Sequence, residues 1–134
     1  MKPVHRFMVV DDDRLNNLVC KHIILRFDME AQITLFTDPE KALGFIKDTF
    51  SDPVEEGNTV MFLDINMPVI SGWEFLKVFE TFEEKIRKQI SIYILSSSID
   101  QSDIEEAGKN PFVQGYYPKP LSLETINLIN SKYG

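Results

Sequence analysis

The residues of this chain that can do chemistry stand at the ends of apolar runs. "RFMVV" runs into Asp11, Asp12 and Asp13, and "TVMFL" into Asp64. "ISIYIL" runs into Ser96, Ser97 and Ser98, and "FVQGYY" into Pro118, Lys119 and Pro120. Carboxylates brought together repel, and burial makes the repulsion worse. A cation relieves it. All the candidate ligands are hard oxygen donors, which favours Mg²⁺ over zinc or copper. Magnesium takes one or two carboxylates directly and leaves positions for water or a phosphoryl oxygen. A carboxylate beside it can attack a phosphoryl group and form an acyl phosphate. An ammonium and a hydroxyl then meet the equatorial oxygens. By residue type, Asp64 is the candidate nucleophile and Lys119 and Ser96 are the candidate oxygen binders. Asn66, two residues on, can present its backbone carbonyl to the metal.

These groups meet only if the runs that carry them lie side by side. Short apolar runs alternate five times with amphipathic stretches. The continuous runs are what strands buried on both faces require. "RFMVV", "AQITLF", "TVMFLD", "ISIYILS" and "FVQGYY" read as the five strands. After the first, Asp13 offers a helix cap, and Leu15, Leu18, Val19 and Ile23 follow at helical spacing. "TDPEKALGFIKDTF" reads as a helix capped by Thr37 or Asp38, with Pro39 in its first turn. "SDPVEEGN" reads as a polar loop. Ser71 caps a predicted long helix with Phe75, Leu76, Phe79, Phe82 and Ile86 on one face. "DQSDIEEAGKN" is a weaker helix, anchored chiefly by Ile104 and Ala107. A last helix carries Leu123, Ile126 and Ile129. Such βα alternation argues for an open parallel sheet with helices on both faces. In these sheets the functional crevice lies at the carboxyl ends of the strands, where the polar groups fall.

Composition narrows the class. The 134 residues suit one domain of ordinary size, and 43% apolar residues suffice for a core. Twenty-one acids against fourteen bases give a charge of −7, a poor generic match for nucleic acid or an anionic membrane. The single cysteine, Cys20, permits no internal disulfide and fits a reducing compartment; its apolar helical setting reads as structural. No run of about 18 apolar residues is present, and the N-terminus lacks an apolar signal-peptide core. The expected setting is cytoplasmic.

Taken in order, "MVVDDD", "FLDINMPVISG", "YILSSS" and "YYPKPL" make the chain similar to the receiver domain of bacterial two-component response regulators. The resemblance runs from about residue 6 to residue 132. It implies an α/β fold: a single doubly wound (βα)5, flavodoxin-like domain over 1–134, with no output domain attached. Its five-stranded parallel sheet would have the order 2-1-3-4-5. By the resemblance, Asp11 and Asp12 are the acidic pair, with Asp12 favoured as the direct Mg²⁺ ligand. Asp64 is the phosphoacceptor, Asn66 the carbonyl ligand, Ser96 the switch hydroxyl, Tyr116 the switch aromatic and Lys119 the lysine of the motif. The implied activity is phosphoryl acceptance from the phosphohistidine of a histidine kinase or phosphotransfer protein. The receiver supplies most of the transfer catalysis and slowly hydrolyses its own acyl phosphate, and is otherwise no enzyme. Phosphorylation adds about −1.5 to −2 charge, drawing Ser96 toward the new oxygens and letting Tyr116 swing inward. The thinly anchored helix at 100–109, with strand five and the last helix, would form the output face for a downstream protein, with phosphorylation-dependent dimerisation left open. Ser98 and Asn66 are small and polar, so neither bars water, and the acyl phosphate is expected not to be unusually long-lived.

Plainer and rival readings stand beside these. Asp13 reads as a cap rather than a third ligand. His22, on the apolar helical pattern, reads as structural, and neither it nor His5 pairs with Cys20. Trp73 and the phenylalanines read as packing. "VVDDDRL" also fits hydrophobic–Asp–x–Asp, the nucleophile motif of haloacid-dehalogenase-like phosphatases, with Asp11 attacking and Asp13 as acid/base. That plan needs a further acidic pair after the lysine, where this chain holds only Glu124. A receiver-like fold used only for binding is disfavoured by intact Asp12, Asp64 and Lys119.

Overall fold

Side chains along each strand alternate between two apolar layers, and that alternation sets the architecture. The computed structural model describes residues 6–51, 59–98 and 100–132. The elements are β1 (Arg6–Val10), α1 (Arg14–Phe27), β2 (Gln32–Phe36), α2 (Pro39–Thr49), β3 (Thr59–Leu63) and α3 (Gly72–Glu80), followed by α4 (Glu84–Arg87), β4 (Ile90–Ser96), α5 (Gln101–Lys109), β5 (Val113–Pro118) and α6 (Leu123–Asn130). The sheet is parallel with order β2-β1-β3-β4-β5, as predicted. Met8, Val10, Met61, Leu63, Ile92 and Ile94 face one layer with Ile46 of α2 and Phe75, Leu76 and Phe79 of α3. Phe7, Val9, Val60, Phe62, Tyr93 and Leu95 face the other with Cys20 and Ile24 of α1 and Ile126 and Ile129 of α6. Burying each such side chain contributes about 1.5–3 kcal/mol, so both faces of the sheet are covered.

Several local signals operate as read. Asp38 caps α2 with Pro39 in the first turn, and Asp13 caps α1 by accepting from the Leu15 and Asn16 amides. Ser71 and Glu74 form a reciprocal capping box at the start of α3. The α5 helix has Ala107 as its buried residue, while Ile104 is substantially exposed, so its anchoring is thin. The predicted "SDPVEEGN" loop lies almost wholly outside the described residues, as does His5.

Two expectations are corrected. The long helix from Ser71 to Ile86 breaks into α3 and α4, so six helices follow the five strands among the described residues. The break falls at Thr81, whose hydroxyl and amide both donate to the Val78 carbonyl. This turns Phe82 onto the core edge-on to Phe79, and Arg87 Nε satisfies the Phe82 carbonyl at 2.9 Å. On α1 the spacing of Leu15, Leu18, Val19 and Ile23 marks the inward face only in part: Ile23 packs half-buried against the core. Leu15 and Leu18 are exposed, and Asn16, Asn17, Cys20 and Ile24 point inward. The start of α1 overhangs the polar end of the sheet, where the strand-end groups require donors rather than methyls. His22 is exposed on the outer face, so its structural reading is also withdrawn.

The sharp turn after Asp64 is built from packing on both sides. Ile65 and Met67 are buried while Asn66 and Pro68 face solvent. The Gly72 amide donates to the Ile65 carbonyl at 2.9 Å, bringing the helix start back against the strand end. A Cβ on Gly72 would lie 2.6 Å from the Asp64 carbonyl oxygen and 2.8 Å from the Ile65 Cα. Both are backbone atoms, so the contact cannot be relieved by a rotamer change. Gly72→Ala is therefore expected to lower stability by about 1–3 kcal/mol in a denaturant titration. A variant as stable as wild type would show that the turn is not tightly packed.

Candidate functional site

The sheet ladder continues one step beyond the strands, and this brings the polar groups together. The Asp11 amide donates to the Phe36 carbonyl, the Asp64 amide to the Val10 carbonyl and the Lys119 amide to the Ser96 carbonyl, each at 3.0 Å. The backbones of three predicted site residues are thereby locked in register along one sheet edge. Their side chains turn into one pocket. Lys119 Nζ lies 2.7 Å from Asp11 Oδ2 and 3.5 Å from Asp64 Oδ2. One oxygen from each of Asp11, Asp12 and Asp64 falls within 4.8 Å of the others. Asp11 and Asp64 are buried, at 2% and 5% exposure, whereas Asp12 is open to solvent.

Each carboxylate has a distinct environment. Asp11 Oδ1 accepts the Asp13 amide at 2.9 Å, and Oδ2 accepts Asn16 Nδ2 at 2.7 Å besides Lys119. Asp64 has fewer donors: Oδ1 accepts the Asn66 amide at 3.4 Å and Oδ2 faces Lys119. Burial, then the nearby Asp11 charge, pushes Asp64 from 3.8 up to about 6 against the pull of Lys119. Burial alone would lower Lys119, but the hydrogen bond and charge of Asp11, with Asp64, outweigh it and hold the ammonium above its ordinary value. Burial likewise pushes the Cys20 thiol up to about 12, which keeps it neutral and structural. Three carboxylates against one ammonium leave two negative charges. That surplus, the hard oxygen donors and the one solvent-facing acid fit a small divalent cation.

The remaining predicted residues surround this pocket. Ser96 is fully buried, and its Oγ accepts the Ser98 amide at 3.1 Å. Tyr116 already lies against the core, its hydroxyl donating to the Ser98 carbonyl at 2.8 Å. Ser98 Oγ donates to Asp103 Oδ2 at 2.9 Å, and Trp73 Nε1 reaches the other oxygen of Asp103 at 3.4 Å. Trp73 thus does more than pack: it ties α3 to α5. Asp13 Oδ1 caps α1, in line with the plainer reading of that residue. Sequence reasoning missed Asn16 and Asn17. Asn17 Nδ2 binds the Asp11 carbonyl at 3.1 Å and the Phe36 carbonyl at 3.3 Å, tying α1 to the ends of β1 and β2. Two adjacent amides one turn after a cluster of acids were the available signal.

A doubly wound parallel sheet with an acid pocket and a lysine at its carboxyl edge places the chain among the α/β proteins whose site lies at the strand ends. The family profile of the response regulator receiver domain matches residues 7–129, and the chain belongs to that family. A two-component response regulator from Cytophaga hutchinsonii superposes with a TM-score of 0.87 at 25% identity, over 98% of this chain and 97% of that one. A response regulator receiver protein from Dyadobacter fermentans gives 0.84 at 26% identity, over 96% of each. Stress response regulator protein 1 of Lodderomyces elongisporus is 34% identical over 68 residues, 51% of this chain and 17% of that protein. Hybrid signal transduction histidine kinase E of Dictyostelium discoideum is 26% identical over 128 residues, 95% of this chain but 7% of that protein. The chain therefore spans only a small part of the last two proteins. It is a receiver domain of two-component phosphorelay signalling, a signalling domain rather than a conventional enzyme. Among the described residues no helix is long and apolar enough to cross a membrane.

The raised Asp64 pKa has a stability consequence with a definite sign. The fold disfavours the ionised form, so the penalty is absent below the unfolded value of 3.8, grows as pH rises to about 6 and is full above that. At roughly 1.36 kcal/mol per unit, a rise of about two units amounts to about 3 kcal/mol. Asp64→Asn stays neutral. It is expected to be more stable than wild type at pH 7 by about 1–3 kcal/mol, and to lose that advantage near pH 4. Denaturant titrations at the two pH values without divalent cations measure this, and equal stabilities at pH 7 would contradict it.

Proposed function

We propose that residues 1–134 act as one receiver domain that accepts a phosphoryl group on Asp64 in a Mg²⁺-dependent transfer. The donor is the phosphohistidine of a histidine kinase or histidine phosphotransfer protein. The observation that carries this reading is the Lys119 ammonium between two buried carboxylates, beside an acid that water can reach. Asp11, Asp12 and Asp64 would hold the ion, with the Asn66 backbone carbonyl. When bound, the ion neutralises charge on the acids and on the phosphoryl oxygens.

The chain's own groups do the rest. An ionised Asp64 oxygen attacks phosphorus, forming the acyl phosphate O–P bond. The P–N bond to the donor imidazole breaks, and its electron pair returns to that nitrogen. Lys119 turns from Asp11 and Asp64 toward an equatorial phosphoryl oxygen, and the Ser96 hydroxyl hydrogen is offered to another. Slow attack of water on the same phosphorus returns the free carboxylate.

The switch follows from the same contacts. Drawing Ser96 toward the phosphoryl group competes with its bond to the Ser98 amide, and Ser98 is also held by Tyr116 and Asp103. Tyr116 is packed inward beforehand, so its part is to hold the loop after β4 in one of two arrangements rather than to swing in from solvent. The thin anchoring of α5 makes a shift there cheap. The face of α5, β5 and α6 is the proposed output surface for a downstream protein.

Incubation with acetyl phosphate and Mg²⁺, followed by intact mass, tests the reading. One phosphoryl group is expected on wild type, none without a divalent cation, and none on Asp64→Ala. Hydrogen exchange on the labelled protein is expected to change in α5 and the loop before it. Label retained by Asp64→Ala would refute the phosphoacceptor assignment, and unchanged exchange would remove the switch.

A further inference from the structure

The chemistry above uses Asp11 without asking what keeps its side chain in place. Asp11 Oδ2 is shared by two donors, Lys119 Nζ and Asn16 Nδ2, both at 2.7 Å. Lys119 is the mobile one of the two, since it must move to meet a phosphoryl oxygen. The carboxylate it leaves is 2% exposed, and a buried charge stripped of a donor is costly and free to rotate. Asn16 is itself only 9% exposed and sits on the first turns of α1, whose cap is Asp13. Asp13 in turn donates its own amide to Asp11 Oδ1 at 2.9 Å. The carboxylate is therefore gripped at both oxygens by one short segment of chain.

We infer that Asn16 is a positioning residue, a fixed neutral donor that holds the Asp11 carboxylate in its cation-binding orientation while Lys119 moves to the phosphoryl group. This rests on the phosphoacceptor reading above and adds a residue to it. The choice of side chain has a physical reason. A lysine or arginine at position 16 would bring a second positive charge into the pocket and compete with a divalent cation for the same oxygens. A leucine would leave Oδ2 with Lys119 alone, and would tether that ammonium to Asp11 when it is needed elsewhere. An amide donates without adding charge. Its contact with Cys20 Sγ is far longer, at 3.7 Å, so the packing of α1 rather than that contact fixes the direction from which it donates. Asn17 secures the same place from the backbone side through the Asp11 carbonyl, so α1 is registered on Asp11 twice.

The test separates positioning from packing. Mg²⁺ affinity is measured by titration calorimetry on unphosphorylated wild type, Asn16→Leu and Cys20→Ala, with labelling by acetyl phosphate followed across Mg²⁺ concentrations. Hydrogen-bond partners of metal-binding carboxylates typically matter by 10–100-fold, so Asn16→Leu is expected to bind Mg²⁺ about tenfold more weakly. Its labelling curve should shift to higher Mg²⁺ by the same factor. Cys20→Ala loosens the same helix face but keeps the amide, and its Mg²⁺ affinity is expected to stay within twofold of wild type. Asn16→Gln, which restores an amide, should recover part of the loss. If Asn16→Leu does not fold, Asn16→Ala removes the donor without added bulk, and the same thresholds apply. A wild type that binds Mg²⁺ and takes the label, with the Asn16 variant within twofold of it, overturns the inference alone. Equal losses in Cys20→Ala and Asn16→Leu overturn it as well, by assigning the effect to packing. A wild type that neither binds the ion nor takes the label removes the receiver chemistry and this inference together.

Discussion

An ammonium shared between two buried carboxylates governs this structure. Lys119 stands 2.7 Å from Asp11 and 3.5 Å from Asp64, and both acids are withdrawn from water. One positive charge cannot satisfy them both, and the solvent-facing Asp12 adds a third negative charge at the mouth. The imbalance shows in the raised Asp64 pKa, driven by burial and by Asp11. A site in this condition gains from a divalent cation, and it holds Asp64 less firmly than Asp11. The less firmly held carboxylate, with one long backbone donor and the far end of the lysine, is the one suited to react.

The rest of the fold can be read as the means of keeping that imbalance in place. Parallel strands with all-apolar cores need cover on both faces, and the helices provide it. The register carries one residue beyond each strand, so Asp11, Asp64 and Lys119 are set by ladder hydrogen bonds rather than by loops. Close approach of α3 at Gly72 fixes the back of Asp64, and the two amides of α1 fix Asp11. On the far side, Ser96 is buried at the end of β4, and the loop that follows it is held by side chains. The site thus joins a rigid half to a half that can move, which is what a signalling domain requires of a local charge event.

Much of this was legible in the sequence because a strand buried on both faces announces itself. A continuous apolar run ending in a polar residue places that residue at the sheet edge, whatever the helices do. The convergence of Asp11, Asp12, Asp64 and Lys119 follows from that pattern once their strands are adjacent, the strand order came from the resemblance to receiver domains, and Asp13 and Ser71 were readable as caps. What was hidden depends on competition between neighbours. Leu15 and Leu18 looked like the start of a core face that Ile23 does continue, but the inward positions at the start of α1 were already claimed by Asn16 and Asn17, donors to Asp11. Apolar spacing continued through Phe82 to Ile86, yet Thr81 and the need to seat Phe82 broke the helix there. Tyr116 was readable as the switch aromatic and Trp73 as packing, while the bond from Tyr116 to the Ser98 carbonyl and that from Trp73 to Asp103 depend on how α5 and the loop before it settle, and α5 has little periodicity of its own.

The central claim is that Asp12 and Asp64 share one divalent ion next to the Lys119 ammonium. Soaking crystals with Mn²⁺ in place of Mg²⁺ and locating the metal by anomalous scattering tests it most directly. The account predicts one ion at the carboxyl edge of the sheet beside Asp11, with oxygens of Asp12, Asp64 and the Asn66 backbone carbonyl about 2.0–2.3 Å away and water completing an octahedral shell. An ion bound elsewhere on the acidic surface, or none at concentrations that support phosphorylation, would contradict it.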